Sequence, residues 1–329
     1  MRKYCLSLLL LLLTLVSNAV EPPKREIRGV WLTTVYGLDW PRKPATTETG
    51  RKVQQRDVCD ILDRLQDANF NTVFLQVRMR GDVIWRSAIE PASKIFSGKY
   101  GMMPGYDPLA FVVDECHKRG MECHAWFVTF PLGTDKSVIE QGKLSVVRRQ
   151  PKLCKRHNGE WYLDPGVPGT SDYVLSLVKE LVNGYDIDGI HFDYPEQAKS
   201  FPDKNLYNKY GKKRPLAEWR RENINKMVYR IYDWVKSVKP WIQVSSSPLG
   251  KYNRIERVPN AGWTAYESVF QDSKMWMEHG KQDMIVPMMY YLHDNFFPFV
   301  DNWVDNRNGR LVVPGLGAYR MLKEEADWI

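Results

Sequence analysis

Seven short apolar strands separated by amphipathic helices predict an α/β fold, a TIM-type (β/α)8 barrel counted one strand short at its C-terminal end. Three observations carry this expectation. Apolar periodicity switches repeatedly between two and 3.6 residues, as in successive βα units. Helices return to the next strand through tight turns such as Arg119-Gly120-Met121 and Lys239-Pro240, whereas strands lead out into long excursions; barrels of this type are elaborated on that one face. The length of 329 residues suits a single barrel of about 250 residues with insertions.

The first element is not part of the barrel. Arg2 and Lys3 precede an apolar run from Leu6 to Val16, and Ser17-Asn18-Ala19 offers a small-x-small cleavage site. This pattern predicts a secretory signal peptide over residues 1–19 and an exported, periplasmic or extracellular protein comprising residues 20–329. The run is too short to span a bilayer, and Cys5 lies ahead of it, which argues against a lipid anchor there. No second hydrophobic span follows, so no stable membrane insertion is expected after cleavage.

The strands then read RGVWLTT (residues 28–34), TVFLQVR (72–78), ECHAWF (122–127), GIHFDY (189–194), IQVSSS (242–247), MIVPMMY (284–290) and LVVPGLG (311–317). Between them Val58, Ile61, Leu62 and Leu65 share a helical face, as do Leu109, Val112, Val113 and Cys116. The same holds for Val174, Leu177, Val178 and Leu181, and for Ile224, Met227, Val228, Ile231 and Val235. Gly120, Gly184 and Gly280 stand where helix C′ residues would. In the third excursion Asn158-Gly159 sits between polar-aromatic flanks, a type I′ hairpin signal. An eighth strand is missing from this count: the chain is a fragment, or that strand is N-terminal or irregular.

Composition narrows the function. Hydrophobic content of 43% and charged content of 26% are ordinary for a globular chain. The 12 Trp and 17 Tyr exceed what packing usually needs, and aromatic faces suit flat, partly apolar ligands such as sugar rings. The formal charge of +8 has no focus in any basic stripe or RNA-binding signature, so nucleic acid is not an expected partner. Cys59, Cys116, Cys123 and Cys154 match no zinc spacing; they read as small hydrophobes, with a Cys116–Cys123 disulfide as the alternative in an oxidising compartment. The dispersed His residues give no i, i+4 pair, so neither a metal nor another cofactor is expected. Ser245–Ser247 lack a nucleophile-elbow frame.

Strand parity picks out the candidate site, because alternate side chains face opposite sides of a sheet. Val73, Leu75 and Val77 would face the helices, which turns Phe74, Gln76 and Arg78 inward. Likewise Ile190 and Phe192 would face out and Gly189, His191 and Asp193 in, with Gln243, Ser245 and Ser247 following suit on the next strand. Three strands thus become polar toward their C-terminal ends, as a ligand pocket would. A carboxylate at the tip of an apolar strand is costly unless it is paired or used, so Asp193 is the expected catalytic acid. Glycosidic cleavage needs a second carboxylate, and Glu267 and Asp272 in the fifth excursion are the candidates, Asp272 being equally readable as a helix N-cap. Glu196 and Asp39 are weaker ones. Trp31, Trp126 and Tyr290 would stack on sugar faces, and Gln76, Arg78 and His191 would bind hydroxyls or carboxylates.

At these residues the sequence resembles the glycosyl hydrolase-like 10 (DUF187) family of exported bacterial proteins. The motifs are REIRGVWLTT, FNTVFLQVRMRGDVIW, GYDPLAFVVDECHKRGMECHAWF, NGEWYLDPG, DGIHFDY, WRRENIN, QDSKMW and DMIVPMMYY, in order from Arg25 to about Arg320. The resemblance implies a TIM-type barrel related to glycoside hydrolases, a strand-four acid falling on Asp193, and a role in cell-wall or exopolysaccharide metabolism. Two features depart from the family pattern. Asp193-Tyr194 passes directly to Pro195-Glu196 where many relatives carry a longer Asp-Tyr-Ile-Arg-Tyr-Pro-type run, and relatives continue past the seventh strand. The expected function is therefore hydrolysis of a bacterial polysaccharide or oligosaccharide; the alternative is a catalytically inactive glycan-binding barrel. A polysaccharide deacetylase would need a His-rich metal site that the sequence does not present.

Overall fold

A computed structural model describes residues 26–194, 199–211 and 213–320. The proposed signal peptide and Glu196 lie outside these residues. Seven parallel strands form one curled sheet in chain order: β1 (Gly29–Leu32), β2 (Thr72–Arg78), β3 (Glu122–Val128), β4 (Gly189–Asp193), β5 (Gln243–Ser246), β6 (Met284–Ile285) and β7 (Leu311–Val312). Six helices connect them: α1 (Glu48–Asp67), α2 (Pro108–Lys118), α3 (Thr170–Gly184), α4 (Leu216–Val238), α5 (Ser273–Glu278) and α6 (His293–Asp305). The result is a curled half-barrel with β1 and β7 at its edges.

The predicted faces explain why the sheet is covered by helices. Val73, Leu75, Val77, Ile190, Phe192 and Val244 are buried in one large cluster with Val58 and Leu62 of α1, Leu109 and Val112 of α2, Leu177 and Leu181 of α3, and Ile231 of α4. Capping fits the sequence: Thr47 accepts from the Gly50 amide at the start of α1, and Asp107 from the Ala110 amide at the start of α2. Gly120 and Gly280 have φ of 69° and 66°, as helix-terminating residues require. Gly184 differs: it is the last residue of α3, and Tyr185 follows in extended backbone. In the third excursion Cys154–His157 and Glu160–Leu163 pair antiparallel, with φ of 48° at Asn158 and 82° at Gly159, the two positive values of a type I′ turn. Cys116 and Cys123 are buried free thiols, so the disulfide alternative is not realised.

The last two strands are shorter than the apolar runs suggest. Met284–Ile285 pairs with Leu311–Val312, and beyond Val286-Pro287 and Val313-Pro314 the same two segments pair again as Met288–Met289 with Gly315–Leu316. Proline has no amide hydrogen to give to a ladder, so each run is interrupted at its Pro.

Inside the curl lies a second, smaller apolar cluster of Phe74, Met284 and Val286, against which Ile27, Trp31, Trp126, Leu311 and Val313 pack. Glycines make room for its large rings. A Cβ at Gly29 would lie 2.7 Å from the Phe74 ring, one at Gly189 would lie 2.3 Å from Nδ1 of His124, and one at Gly315 would lie 2.4 Å from the Trp31 ring. The last contact brings β1 and the end of β7 together across the open side of the sheet through a side chain. Gly189→Ala is therefore expected to destabilise the fold by about 1–3 kcal/mol, because His124 is fully buried and has nowhere to move; urea denaturation checks this, and an unchanged midpoint would mean that the interior is loosely filled.

Candidate active site

Strand β4 ends between two layers. Phe192 and Tyr194 stack on each other at 5.6 Å and 17° on the helix side, so Asp193 between them faces the inside of the curl. Its backbone carbonyl is pinned by the amide and hydroxyl of Thr129, both at 2.9 Å. The carboxylate is half-buried. Burial, then the negative charge of Asp193, pushes the Tyr290 hydroxyl up to about 12, so Tyr290 stands within the field of that carboxylate. Tyr290 meets Trp31 edge-on at 6.5 Å and Tyr319 at 6.4 Å. Trp31 of β1 and Tyr290, just past Met288–Met289, are thus in ring contact on the inner side of the sheet, and Asp193 at the end of β4 acts on Tyr290.

Beneath them His191 is fully buried. Its Nε2 accepts from the Trp31 indole at 3.1 Å, which leaves the proton on Nδ1 to be donated to Ser245 Oγ at 2.8 Å. Burial, and secondarily His124, pulls its pKa down to about 3. His191 is therefore a neutral fixture that orients Trp31. The sign of the resulting pH dependence follows from linkage: a pKa depressed from about 6.5 in the unfolded chain contributes stability that is complete above that value and is lost as pH falls from 6.5 toward 3. Replacing His191 by Gln should flatten the stability profile over that window by about 4 kcal/mol. The comparison must be made variant against parent, because Asp82 and Asp164, each raised to about 6 by burial, contribute with the opposite sign: their stabilisation is present at low pH and lost as pH rises through about 6.

Trp126 lines the interior cluster, and its indole Nε1 is buried without a hydrogen-bond partner among the described residues. Gln76 also points inward, but its side-chain carbonyl already accepts from Thr33 Oγ1 at 2.8 Å, Thr34 N at 3.1 Å and Val35 N at 2.9 Å. It fixes the chain leaving β1 and has no acceptor capacity left for a ligand.

Arg78 is not at the mouth. The β2–β3 register shifts between Gln76 and Arg78, and this bulge breaks the alternation that would have turned Arg78 inward. The guanidinium is fully buried, bonds both oxygens of Glu90 at 2.7 Å, and donates to the carbonyls of Val128 at 2.5 Å and Thr129 at 2.9 Å. It lies 5.1 Å from the Phe127 ring in the outer core. Arg78 ties the ends of β2 and β3 together and presents no free face to a substrate.

The two partner acids are also engaged. Glu267, in the short helix Ala265–Ser268, is 41% exposed and pairs with Arg254 at 3.2 Å. Asp272 occupies the N-cap position of α5 without making a side-chain cap; it is buried, and its carboxylate accepts the Tyr252 hydroxyl at 2.7 Å. Asp39 accepts the Thr33 amide at 2.9 Å and closes the turn after β1.

One acid escaped sequence reasoning. Asp82 lines a cavity of about 270 Å³ beneath the excursions of β1, β2 and β3, with Tyr36, Arg80, Lys94 and Tyr100 around it. Ser93 donates to it at 3.2 Å. The Gly-Asp pair just beyond β2 was the available signal; parity stops at a strand's end and says nothing about it. Among the described residues no group of three or more His, Cys, Asp or Glu side chains is arranged to hold a metal, and no helix is long and apolar enough to cross a membrane.

Comparison with known proteins agrees with this architecture. Residues 26–308 match the family Glycosyl hydrolase-like 10. Glycosyl hydrolase DigH of Escherichia coli (strain K12) is 36% identical over 293 residues, covering 82% of this chain and 67% of DigH. Glycosyl hydrolase YngK of Bacillus subtilis (strain 168) is 32% identical over 319 residues, covering 90% of this chain and 61% of YngK. The chain thus spans about two thirds of the curated relatives it matches. Among solved structures, the glycoside hydrolase domain of PgaB (BpsB) from Bordetella bronchiseptica superposes with a TM-score of 0.58 at 14% identity, over 86% of this chain and 82% of that one; at that identity the likeness shows the fold. With residues 26–308 matching the family and a relative 36% identical over 82% of the chain, the chain belongs to the glycosyl hydrolase-like 10 family.

Proposed function

We propose that this protein is an exported glycoside hydrolase acting on a bacterial cell-wall or exopolysaccharide glycan, with Asp193 as its principal catalytic carboxylate. The observation that carries this reading is the half-buried Asp193 at the C-terminal tip of β4, inside the curl, whose charge acts on Tyr290, itself in ring contact with Trp31. A sugar ring laid on the indole would bring its glycosidic oxygen to Asp193, which in its protonated form gives its proton to the leaving oxygen as the bond to the anomeric carbon breaks, while the second carboxylate, or a water it deprotonates, forms the new bond to that carbon. Tyr290, neutral at physiological pH, supplies a hydroxyl donor within the field of Asp193. The neutral His191 keeps the Trp31 platform in place without adding a charge to the floor.

Glu267 suits the role of second carboxylate better than Asp272. It is half in solvent and held only by one surface pair, so a bound glycan can displace Arg254 at little cost; Asp272 would have to surrender Tyr252 and its burial. Export is proposed from the basic, apolar and small-residue blocks of residues 1–19.

The test is an assay for new reducing ends on cell-wall and exopolysaccharide preparations. The parent and Asp272→Asn should release product, and Glu267→Gln should release about 100-fold less or worse. Binding of glycan by every form, with product from none, would favour the non-catalytic glycan-binding barrel instead.

A further inference from the structure

At the C-terminal face of the sheet Lys251 is buried without an ionic partner among the described residues. It is 9% exposed. Its Nζ donates to two neutral oxygens, the carbonyl of Ala261 at 3.0 Å and Oδ1 of Asn295 at 2.7 Å. It sits 4.7 Å from the centroid of the Tyr291 ring and 5.5 Å from that of Phe299. No carboxylate comes within ion-pair distance of it among the described residues. A buried ammonium without an anion is costly, and aromatic faces offset only part of that cost.

The surroundings indicate where that charge is used. Lys251 lines a cavity of about 390 Å³ with Tyr291, Leu292, His293, Asp294 and Asn295. The cavity opens at the first turn of α6, where no side chain caps the helix, so its amides add partial positive charge to that of Lys251; Asp294 is exposed and screened by solvent. The position is built: Met288 N donates to the Pro248 carbonyl at 2.9 Å, Trp303 donates to the Gly250 carbonyl at 2.6 Å, and a Cβ at Gly250 would lie 2.4 Å from the Met288 carbonyl. One residue before Tyr291 stands Tyr290, within the field of Asp193.

We propose that Lys251 and the cavity it lines form a subsite for a carboxylated sugar, whose carboxylate meets the ammonium while its ring lies along Tyr291. The subsite rests on the glycan-cleaving reading above and gives its substrate a chemical class, an acidic glycan with a carboxylate-bearing residue next to the bond presented to Asp193. Neither an isolated anion nor a neutral sugar satisfies both features, because the cation and the aromatic face recognise different parts of one residue.

The experiment is direct binding, which needs no turnover. D-glucuronate, its methyl ester and acetate are titrated by NMR against the full chain at low salt, in the parent and in Lys251→Met, Lys251→Arg and Asp193→Asn variants. The parent should bind glucuronate at least about tenfold more tightly than the ester, and the preference should shrink as salt rises. Lys251→Met should remove the preference, whereas Lys251→Arg and Asp193→Asn should keep it. Equal binding of acid and ester by the parent, or a preference that survives Lys251→Met, overturns the subsite. Acetate binding as tightly as glucuronate overturns the sugar component. If Lys251→Met does not fold, the acid-to-ester ratio of the parent and its salt dependence decide. An active chain that does not discriminate refutes the subsite alone; a chain that discriminates but never yields reducing ends refutes the hydrolase alone.

Discussion

Asp193→Asn is expected to lower glycan hydrolysis by about 10³-fold while leaving the fold and glycan binding intact. The magnitude is that of removing a positioned acid or base, about 10²- to 10⁴-fold. The amide keeps the size of the carboxyl group and loses its ability to deliver a proton. The backbone carbonyl bonded to Thr129 is untouched by the substitution. Reducing-end assays on parent and variant, with circular dichroism to confirm folding, provide the measurement. Should the variant match the parent in rate, Asp193 is not the catalytic carboxylate. A second signature is expected at Tyr290: with the neighbouring charge removed, its hydroxyl should titrate at lower pH, since Asp193 is one of the influences holding it at about 12.

The largest effect on stability is expected at Arg78 and Glu90. Both side chains are fully buried, and Glu90 also receives the Tyr173 hydroxyl at 2.9 Å. Arg78→Met would strand the Glu90 carboxylate in the core, and Glu90→Leu would strand the guanidinium; breaking such a pair from one side costs about 3–5 kcal/mol. The double change Arg78→Met with Glu90→Leu should cost clearly less than the two single changes added together, since no charge is then left unpaired. Urea denaturation of the four proteins gives the coupling. The same series decides what Arg78 does. A ligand-binding arginine would raise KM with little change in the unfolding midpoint, whereas the ion pair described here predicts the reverse order of effects.

Much of the fold was legible because its cause is local. Apolar residues at spacing two in TVFLQVR and at spacing 3.6 around Val58 and Leu62 fix which face of each element is buried, whatever the neighbours are, and parity therefore placed His191 and Asp193 inside and Val73 and Leu75 outside. Turn chemistry is local too, which is why Asn158-Gly159 was readable as a type I′ hairpin. The prolines at 287 and 314 were visible as letters, yet their consequence, two paired segments each split in two, depends on which strands meet.

The roles of the polar residues were settled by contacts between segments far apart in sequence. Arg78 looked like a ligand because periodicity assumes an unbroken ladder; a bulge against β3 and an acid twelve residues on turned it into a fastener. Gln76 is consumed by the chain leaving β1 and Asp272 by Tyr252, whereas Glu267 holds only an exposed pair with Arg254 among the described residues. Lys251 looked like one of many scattered basic residues until burial without a counter-ion set it apart. By itself the sequence determined the strand count, the faces and the position of Asp193 on the inner one, since these follow from the hydrophobic pattern along the chain. Which polar groups remain available was decided only by the tertiary structure, because a hydrogen bond or ion pair needs its partner within about 3–4 Å, and no rule of spacing along the chain specifies that distance.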